Sequence, residues 1–279
     1  MFHRDPSRTR VPEGSLSREK QIALLIGAAL AALLLMIGLG LAVYYSIHPA
    51  SAATKPHSDI PRDQSTAGPL GPDDPTQARR DDLAARPMRI GSPADAQPSV
   101  LSTRDPGSIT LPPSTTTGPA GVPAGFLHTP VGALAQLAAI DKAALDSASL
   151  GGARTVIDQW AAPGGPTTAT WSGVRAMADF LSAAGLSAGK APNLALTATP
   201  IMGLVKAADG SDWVVVCVDF EVDATLARTA RVALADCQRM VWQGNRWVIG
   251  PGLEPAPPPS IWPGTDAAID AGYKELRSG

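Results

Sequence analysis

The sequence predicts an α+β domain of three helices followed by a four-stranded antiparallel sheet, preceded by one transmembrane helix and a disordered linker. Three observations predict this order. An uninterrupted apolar run occupies residues 22–43, Pro and Gly crowd into residues 49–125 and 250–264, and most large apolar side chains lie in residues 126–249. Within this last range the hydrophobic period is helical up to about residue 192 and alternating beyond it.

A membrane-spanning helix is predicted near the N-terminus. The run from Ile22 to Val43 contains only Ile, Ala, Leu, Gly, Met and Val. As a helix of about 22 residues it rises about 33 Å, enough to cross a hydrocarbon core of about 30 Å. Tyr44 and Tyr45 follow, and aromatic rings favour the membrane interface. We therefore expect a stub at residues 1–20 and a transmembrane helix at residues 21–47, with the lipid bilayer as its partner.

The charges around this helix predict its orientation. By the positive-inside rule, the excess of basic residues before the helix places the N-terminus in the cytoplasm and the rest of the chain outside, in the cell envelope. A cleaved signal peptide is the alternative, because Ala50-Ser51-Ala52 has the small-residue pattern of a cleavage site. The apolar run exceeds the about 7 to 15 residues of a usual signal-peptide core, which favours an uncleaved anchor. The basic residues before the helix are Arg4, Arg8, Arg10, Arg18 and Lys20.

Composition limits the expected partners. The net charge is only -2, and no cluster of Lys and Arg alternates with aromatic residues, so direct nucleic-acid binding is not expected. Small residues spaced by four, at Gly27 and Ala31 and at Gly38 and Ala42, would let two membrane helices approach closely. Self-association into a homo-oligomer is therefore a further hypothesis.

A disordered linker is predicted over residues 48–124. This segment repeats Pro, Asp, Ser, Thr and Gly and has hardly any aromatic side chain. Such a composition buries too little apolar surface to offset the entropy of folding. We therefore expect a spacer that separates the membrane from the domain.

Three helices open the predicted domain, which spans residues 125–252. Thr129-Pro130 has the pattern of an N-cap followed by proline, and a helical stripe of Leu and Ala continues until Gly151-Gly152. A second helix carries Val156, Ile157 and Trp160. The third runs from about Thr170 to Ala184.

Four strands are predicted after the helices. The first begins near Leu194 and bends at Pro200, and Asp209-Gly210 then marks a hairpin. The second strand, Trp213 to Val222, alternates between an apolar face and a face that carries Cys217 and the acidic residues. The third and fourth strands cover about residues 229–242 and 246–249, joined by a turn at Gly244-Asn245. Residues 253–279 are expected to form a Pro-rich tail and a short C-terminal helix capped by Thr265.

The two cysteines form a candidate disulfide. If the second and third strands pair in a hairpin centred near Ala227, Cys217 and Cys237 lie directly opposite each other on one face. Cross-strand distances of about 4.5 to 5.5 Å are compatible with a disulfide, which an extracytoplasmic location permits. Two buried thiols are the alternative. Without a nearby histidine the pair does not predict a zinc site.

The same sheet face carries the main candidates for acid and base chemistry. Asp219, Glu221 and Asp223 alternate along the second strand, with Arg231 and Arg239 on the partner strand. Alternate strand residues lie about 7 Å apart, a spacing that a carboxylate pair can use in catalysis. We favour cross-strand ion pairing on a solvated face, because no histidine or tyrosine accompanies these acids in the sheet.

No other pattern predicts a catalytic, cofactor-binding or metal-binding residue. His128 is the only histidine after residue 57 and directly precedes the cap Thr129, so a local role in the loop is expected. Neither a phosphate-binding glycine loop nor metal-ligand spacing is present in the sequence. The tryptophans are expected to pack in the core and at its rim; they include Trp160, Trp171, Trp213, Trp242 and Trp247.

Several tail segments resemble proteins of actinobacterial conjugative elements. These are residues 236–242 (DCQRMVW), residues 246–252 (RWVIGPG), Trp262-Pro263-Gly264 and Ala271-Gly272-Tyr273. The whole arrangement resembles the bitopic membrane proteins of type IV secretion and conjugation machines. These have a cytoplasmic stub, one membrane helix and an extracytoplasmic domain of the nuclear transport factor 2-like (cystatin-like) cone fold.

This resemblance implies a scaffold that assembles a transfer channel with other membrane proteins, and it implies no enzymatic activity. Two other classes stay open. The domain is alternatively a ligand-binding or lipid-transport accessory module, or a small-molecule enzyme with a polar pocket on the same fold.

Overall fold

The computed structural model describes residues 74–186, 193–226 and 228–279. These residues contain five α-helices and eight strands, six of which form one curled sheet in the order β1-β8-β4-β5-β6-β7. The helices are α1 (Pro75–Ala85), α2 (Pro130–Asp146), α3 (Leu150–Trp160), α4 (Ser172–Ala183) and α5 (Asp266–Asp270). The strands are β1 (Ser108–Leu111), β2 (Thr116–Thr117), β3 (Pro123–Ala124), β4 (Ala195–Ala208), β5 (Trp213–Thr225), β6 (Thr229–Gln243), β7 (Arg246–Ile249) and β8 (Lys274–Ser278).

The predicted cone of three helices and four strands is wrong. The four predicted strands are present as β4 to β7, but β1 and β8 extend the sheet beyond β4. Because β1 pairs with β8 in parallel and the other pairs are antiparallel, the sheet is a mixed half-barrel. Both added strands are short: β1 alternates polar and apolar residues over only four positions, and β8 has a single apolar residue, so the sequence pattern did not predict them.

The predicted stub, the predicted transmembrane helix and residues 48–73 of the predicted linker lie outside the described residues. Within the ranges given above, no helix combines the length and the apolar character needed to cross a bilayer.

The predicted disordered linker is wrong for residues 74–124, which form α1, β1, β2 and β3 and pack against the domain. Asp74 caps α1 by accepting a hydrogen bond of 2.8 Å from the Thr76 backbone N–H. Ala84 and Val122 are fully buried. The segment has few apolar residues, but these pack against the sheet that the rest of the domain forms. The segment therefore does not need a separate hydrophobic core to be ordered.

Side-chain caps begin the domain helices. Thr129 accepts a hydrogen bond from the Gly132 N–H at 3.0 Å, as the sequence predicted for α2. The predicted break at Gly151-Gly152 is wrong, because Ser149 caps α3 and both glycines lie in its first turn. A Cβ at Gly152 would lie 2.3 Å from the Ser147 Cβ. Glycine therefore permits the tight turn between α2 and α3.

The main core fills the space between helices α2 to α4 and one face of the sheet. The apolar face of β5 contributes Val214, Val216, Val218, Phe220 and Val222, as its alternation predicted, and all are buried. The helices contribute a stripe of fully buried side chains; these include Leu134, Leu137, Ile140, Ile157, Trp160 and Leu181.

The opposite face of the sheet is covered by α1 and by the segments that follow α1 and β7. Arg239 of β6 is only 3% exposed and pairs with Asp81 of α1, whose side chain is 45% exposed. Gln77 donates a second hydrogen bond to the same Asp81 oxygen at 3.0 Å. This buried guanidinium therefore ties α1 to the sheet.

Replacing Asp81 by alanine is expected to destabilise the fold by about 2 kcal/mol, because it leaves the Arg239 charge buried without its carboxylate. Removing one partner of a fully buried pair costs about 3–5 kcal/mol, and the exposure of Asp81 reduces the effect. Thermal unfolding followed by circular dichroism measures it. The neighbouring Asp82→Ala, at an exposed position of the same helix, is the matched control. Equal effects of the two substitutions would refute the assigned role of Asp81.

Candidate functional site

The covered sheet face contains a buried carboxylate beside the cysteine pair. Asp219 is fully buried, and neither of its oxygens has a hydrogen-bond partner of normal geometry among the described residues. Burial raises the pKa of Asp219 well above its usual value, and the Ile261 backbone N–H offsets part of this effect. Tyr273 is also buried, and its hydroxyl donates to the Pro259 carbonyl at 3.2 Å. Burial, followed by the charge of Asp219, raises the pKa of this phenol well above its usual value.

The prediction of a solvated, ion-paired face is therefore wrong for Asp219 and for Arg239, which turns to Asp81. It is confirmed farther along the strand, where Arg231 contacts Glu221 at 2.6 Å and Asp223 at 3.0 Å. The difference arises because residues 251–263 cross the sheet over Asp219 and not over the exposed end of the hairpin. Alternation within one strand predicts which residues share a face, but not what covers that face.

Cys217 and Cys237 stand opposite each other in the register of β5 and β6 and are joined by a disulfide bond in the structure. Both are buried in a small cluster with Met202, Ile261 and Tyr273. The sulfur of Met88, from the segment after α1, lies 3.9 Å from each cysteine sulfur. The disulfide thus lies beneath the covering segments.

A second polar group, which we call the Asp236 cluster, comprises Asp141, Ser172, Asp236, Gln238 and Glu254. Asp236 accepts hydrogen bonds from the Gln238 side-chain amide at 2.9 Å and from the Ser172 hydroxyl at 3.1 Å. Asp236 is half-buried, and these two hydrogen bonds occupy both of its carboxylate oxygens. Burial raises the pKa of Asp236 to about 6, and the nearby charge of Glu254 acts in the same direction.

Asp141 of α2 is the most buried acid of this cluster. It is 5% exposed, and its Oδ2 atom has no hydrogen-bond partner among the described residues. Burial, followed by the charge of Asp236, raises the pKa of Asp141 well above its usual value. Because the pKa of Asp236 is raised to about 6, this carboxyl can take up and release a proton close to neutral pH.

Glu254 links the cluster to the helix α4. One of its oxygens accepts the Ser172 backbone N–H at 2.6 Å, and the other contacts Arg175 at 2.7 Å. A carboxylate at this position satisfies an otherwise unpaired N–H of the first helical turn and interacts favourably with the helix dipole.

Sequence reasoning missed the Asp236 cluster. Its members come from α2, α4, β6 and the segment after β7, and no local spacing joins them. One signal was available, because Asp236 and Gln238 interrupt the alternation of β6 on the face where Val216 and Val218 of β5 lie opposite. Polar residues at core positions are informative, since a buried polar group needs partners.

His128 lies in the loop before α2 and contacts the sheet. Its ring stacks on Trp242 at a centroid distance of 4.2 Å, and its Nε2 atom lies 2.7 Å from Asp212 at the β4–β5 hairpin. The neighbouring Trp247 is buried and donates from its indole N–H to the Leu127 carbonyl at 2.9 Å. These contacts fasten the loop before α2 to the sheet.

A surface cavity of about 510 Å³ lies at the edge strand β7, away from both groups of acids. Its lining residues are Ala161, Ala162, Pro163, Gln243, Gly244, Arg246 and Val248. Within the described ranges, no group of three or more His, Cys, Asp or Glu side chains has the arrangement of a metal site.

Among known proteins, no family model, no curated protein and no solved structure matches this chain.

Proposed function

We propose that this chain is a membrane-anchored scaffold that helps to assemble a transfer channel of the conjugation or type IV secretion kind. Its N-terminus lies in the cytoplasm and its folded domain outside the membrane. The domain contacts other channel or membrane proteins, and the chain binds no cofactor and catalyses no reaction.

The observation that carries this proposal is the apolar run from Ile22 to Val43, preceded by five basic residues. A run of this length fits a bilayer, and the charge bias orients it. The disulfide between Cys217 and Cys237 is consistent with a domain on the oxidising side. The resemblance of residues 236–242 and 246–252 to proteins of conjugative elements supports a conjugation channel as the assembly that the scaffold belongs to.

Protease added to cells whose outer layers have been made permeable tests the orientation. We expect the domain to be cleaved or released while a cytoplasmic marker protein stays intact. A domain that is protected until the membrane is lysed would overturn the proposed topology. Mass spectrometry of the purified chain distinguishes an uncleaved anchor, which retains residues 1–52, from a processed signal peptide.

In-cell cross-linking from the domain surface tests the partners. A photoreactive residue at the exposed Leu101 or Leu253 should capture membrane proteins of the transfer apparatus. Capture of soluble metabolic enzymes alone would count against the scaffold.

A small-molecule binding module is the second candidate, and the cavity at β7 favours it. About 510 Å³ is within the range of ligand pockets, and Arg246 would supply a charged group at its wall. A small molecule that stays bound to the purified protein, and is lost in Arg246→Ala, would favour this alternative.

A further inference from the structure

Residues 251–263, which we call the strap, connect the two groups of buried acids. At its beginning, Glu254 binds the first turn of α4 beside Asp236. Farther along, Ser260 accepts the Ala235 backbone N–H at 2.9 Å, and the Pro259 carbonyl accepts the Tyr273 hydroxyl. Ile261 is fully buried against the cysteine pair, and its N–H faces Asp219. The strap thus covers Asp219, whereas Asp236 lies on the opposite face of the sheet, paired with Val218, and among strap residues only the charge of Glu254 acts on it.

The groups that face Asp236 come from every element packed around it. The helix α2 supplies Asp141, and β6 itself supplies the Gln238 amide. The helix α4 supplies the Ser172 hydroxyl and Arg175, and Arg175 contacts Glu254. The strap supplies Glu254, a like charge for an ionised Asp236.

The surroundings of Asp219 are less polar still. Tyr273 is the titratable group that approaches it from the C-terminal segment, and the strap offers the Ile261 N–H. On the same strand face, Glu221 is already paired with Arg231. Ionisation of Asp219 would therefore place a charge beneath the strap without a cationic partner among these groups.

We propose that the strap is a proton-controlled cover of the sheet, closed while Asp219 is neutral and released when it ionises. Release would free the Asp219 carboxylate to bind water. It would also expose the cluster around Cys217, Cys237 and Met202, so the proton content of one acid would control access to the disulfide. The inference does not depend on the proposed function.

The direction of the pH effect follows from the position of Asp219 in the closed form, where both oxygens lack a hydrogen-bond partner and burial raises the pKa well above its ordinary value. The closed form therefore binds more protons than the open form wherever the pH lies between the open and closed pKa values, so raising the pH favours opening.

A spin label on the strap tests this proposal. Leu253 is 81% exposed and lies in the strap, so Leu253→Cys in the full-length protein can carry a nitroxide while the native cysteines stay bonded. Leu127→Cys, at a position 61% exposed in the loop before α2, is the matched control. We expect a mobile spectral component at Leu253 that grows from pH 4.5 to pH 7.5, with no change at Leu127.

Two substitutions distinguish movement of the strap from general loosening of the fold as the cause of the pH response. Asp219→Asn, which keeps the shape of the neutral acid, should flatten most of the pH response at Leu253, whereas Glu221→Gln should leave it unchanged. If Asp219→Asn fails to fold, amide hydrogen exchange of the unchanged protein provides a second test, because the protection factor of Ala235, whose N–H is bonded to Ser260, should fall from pH 4.5 to pH 7.5. Identical spectra of the Leu253 label at both pH values would overturn the proposal, and so would an undiminished response in a folded Asp219→Asn protein.

Discussion

Replacing Trp160 by alanine is expected to lower the free energy of unfolding by about 3–5 kcal/mol, the usual cost of removing a large aromatic side chain from a core. Trp160 is fully buried at the end of α3, and its indole N–H donates to the Pro119 carbonyl at 3.1 Å. The Arg246 guanidinium lies 4.7 Å from the centre of its ring. One side chain thus holds together α3, the turn before β3 and the edge strand β7. Chemical denaturation of the purified protein, followed by circular dichroism, measures the loss.

Trp160→Phe is the matched comparison for this substitution. It keeps most of the apolar volume but loses the hydrogen bond to Pro119, and we expect it to cost about half as much. A Trp160→Ala protein as stable as the unchanged one would show that this junction is not part of the cooperative core.

Removing the disulfide is expected to lower the free energy of unfolding by about 3 kcal/mol, since the bond closes a loop of about 20 residues in the unfolded chain. The double substitution Cys217→Ala and Cys237→Ala is suitable, because serine would add hydroxyl groups at two buried positions. The same denaturation measurement applies, with and without a reducing agent.

The reducing agent provides the control. It should destabilise the unchanged protein by a similar amount and leave the double variant unaffected. Two freely reactive thiols in the non-reduced protein, or a reductant effect that is equal in both proteins, would contradict the bond.

The sequence predicted the parts of this fold that local chemistry determines. Thr129-Pro130 begins α2 because a hydroxyl cap and a proline suit the first turn wherever they occur. The alternation of β5 and the length of its hairpin fixed the register that brings Cys217 opposite Cys237. Neither conclusion needed information from distant residues.

The additions to the sheet could not be predicted in this way. Strand β8 pairs with β4 only at Met202 and Gly203, and β1 joins through β8 across more than 160 residues of sequence. Short strands with such distant partners are stabilised by the sheet they join, and their sequences show little intrinsic preference for the strand conformation. Residues 74–124 were misjudged for the same reason, because composition measures whether a segment can fold alone.

The candidate site was predicted only in part. The sequence identified Asp219 as a candidate for acid and base chemistry. Its burial could not be predicted, because it depends on the strap, which follows Asp219 by more than 30 residues. Asp141 fell outside the apolar stripe of α2 in the sequence, and no local pattern indicated that β6 brings Asp236 close to it.

Strand β1 lies at the edge of the sheet, and β8, at residues 274–278, is its neighbour there. Because β8 lies between β1 and β4, deleting the last five or six residues would leave Ser108–Leu111 without a neighbour as well. Affinity tags for purification are therefore better appended after Gly279 through a flexible spacer than exchanged for native residues there.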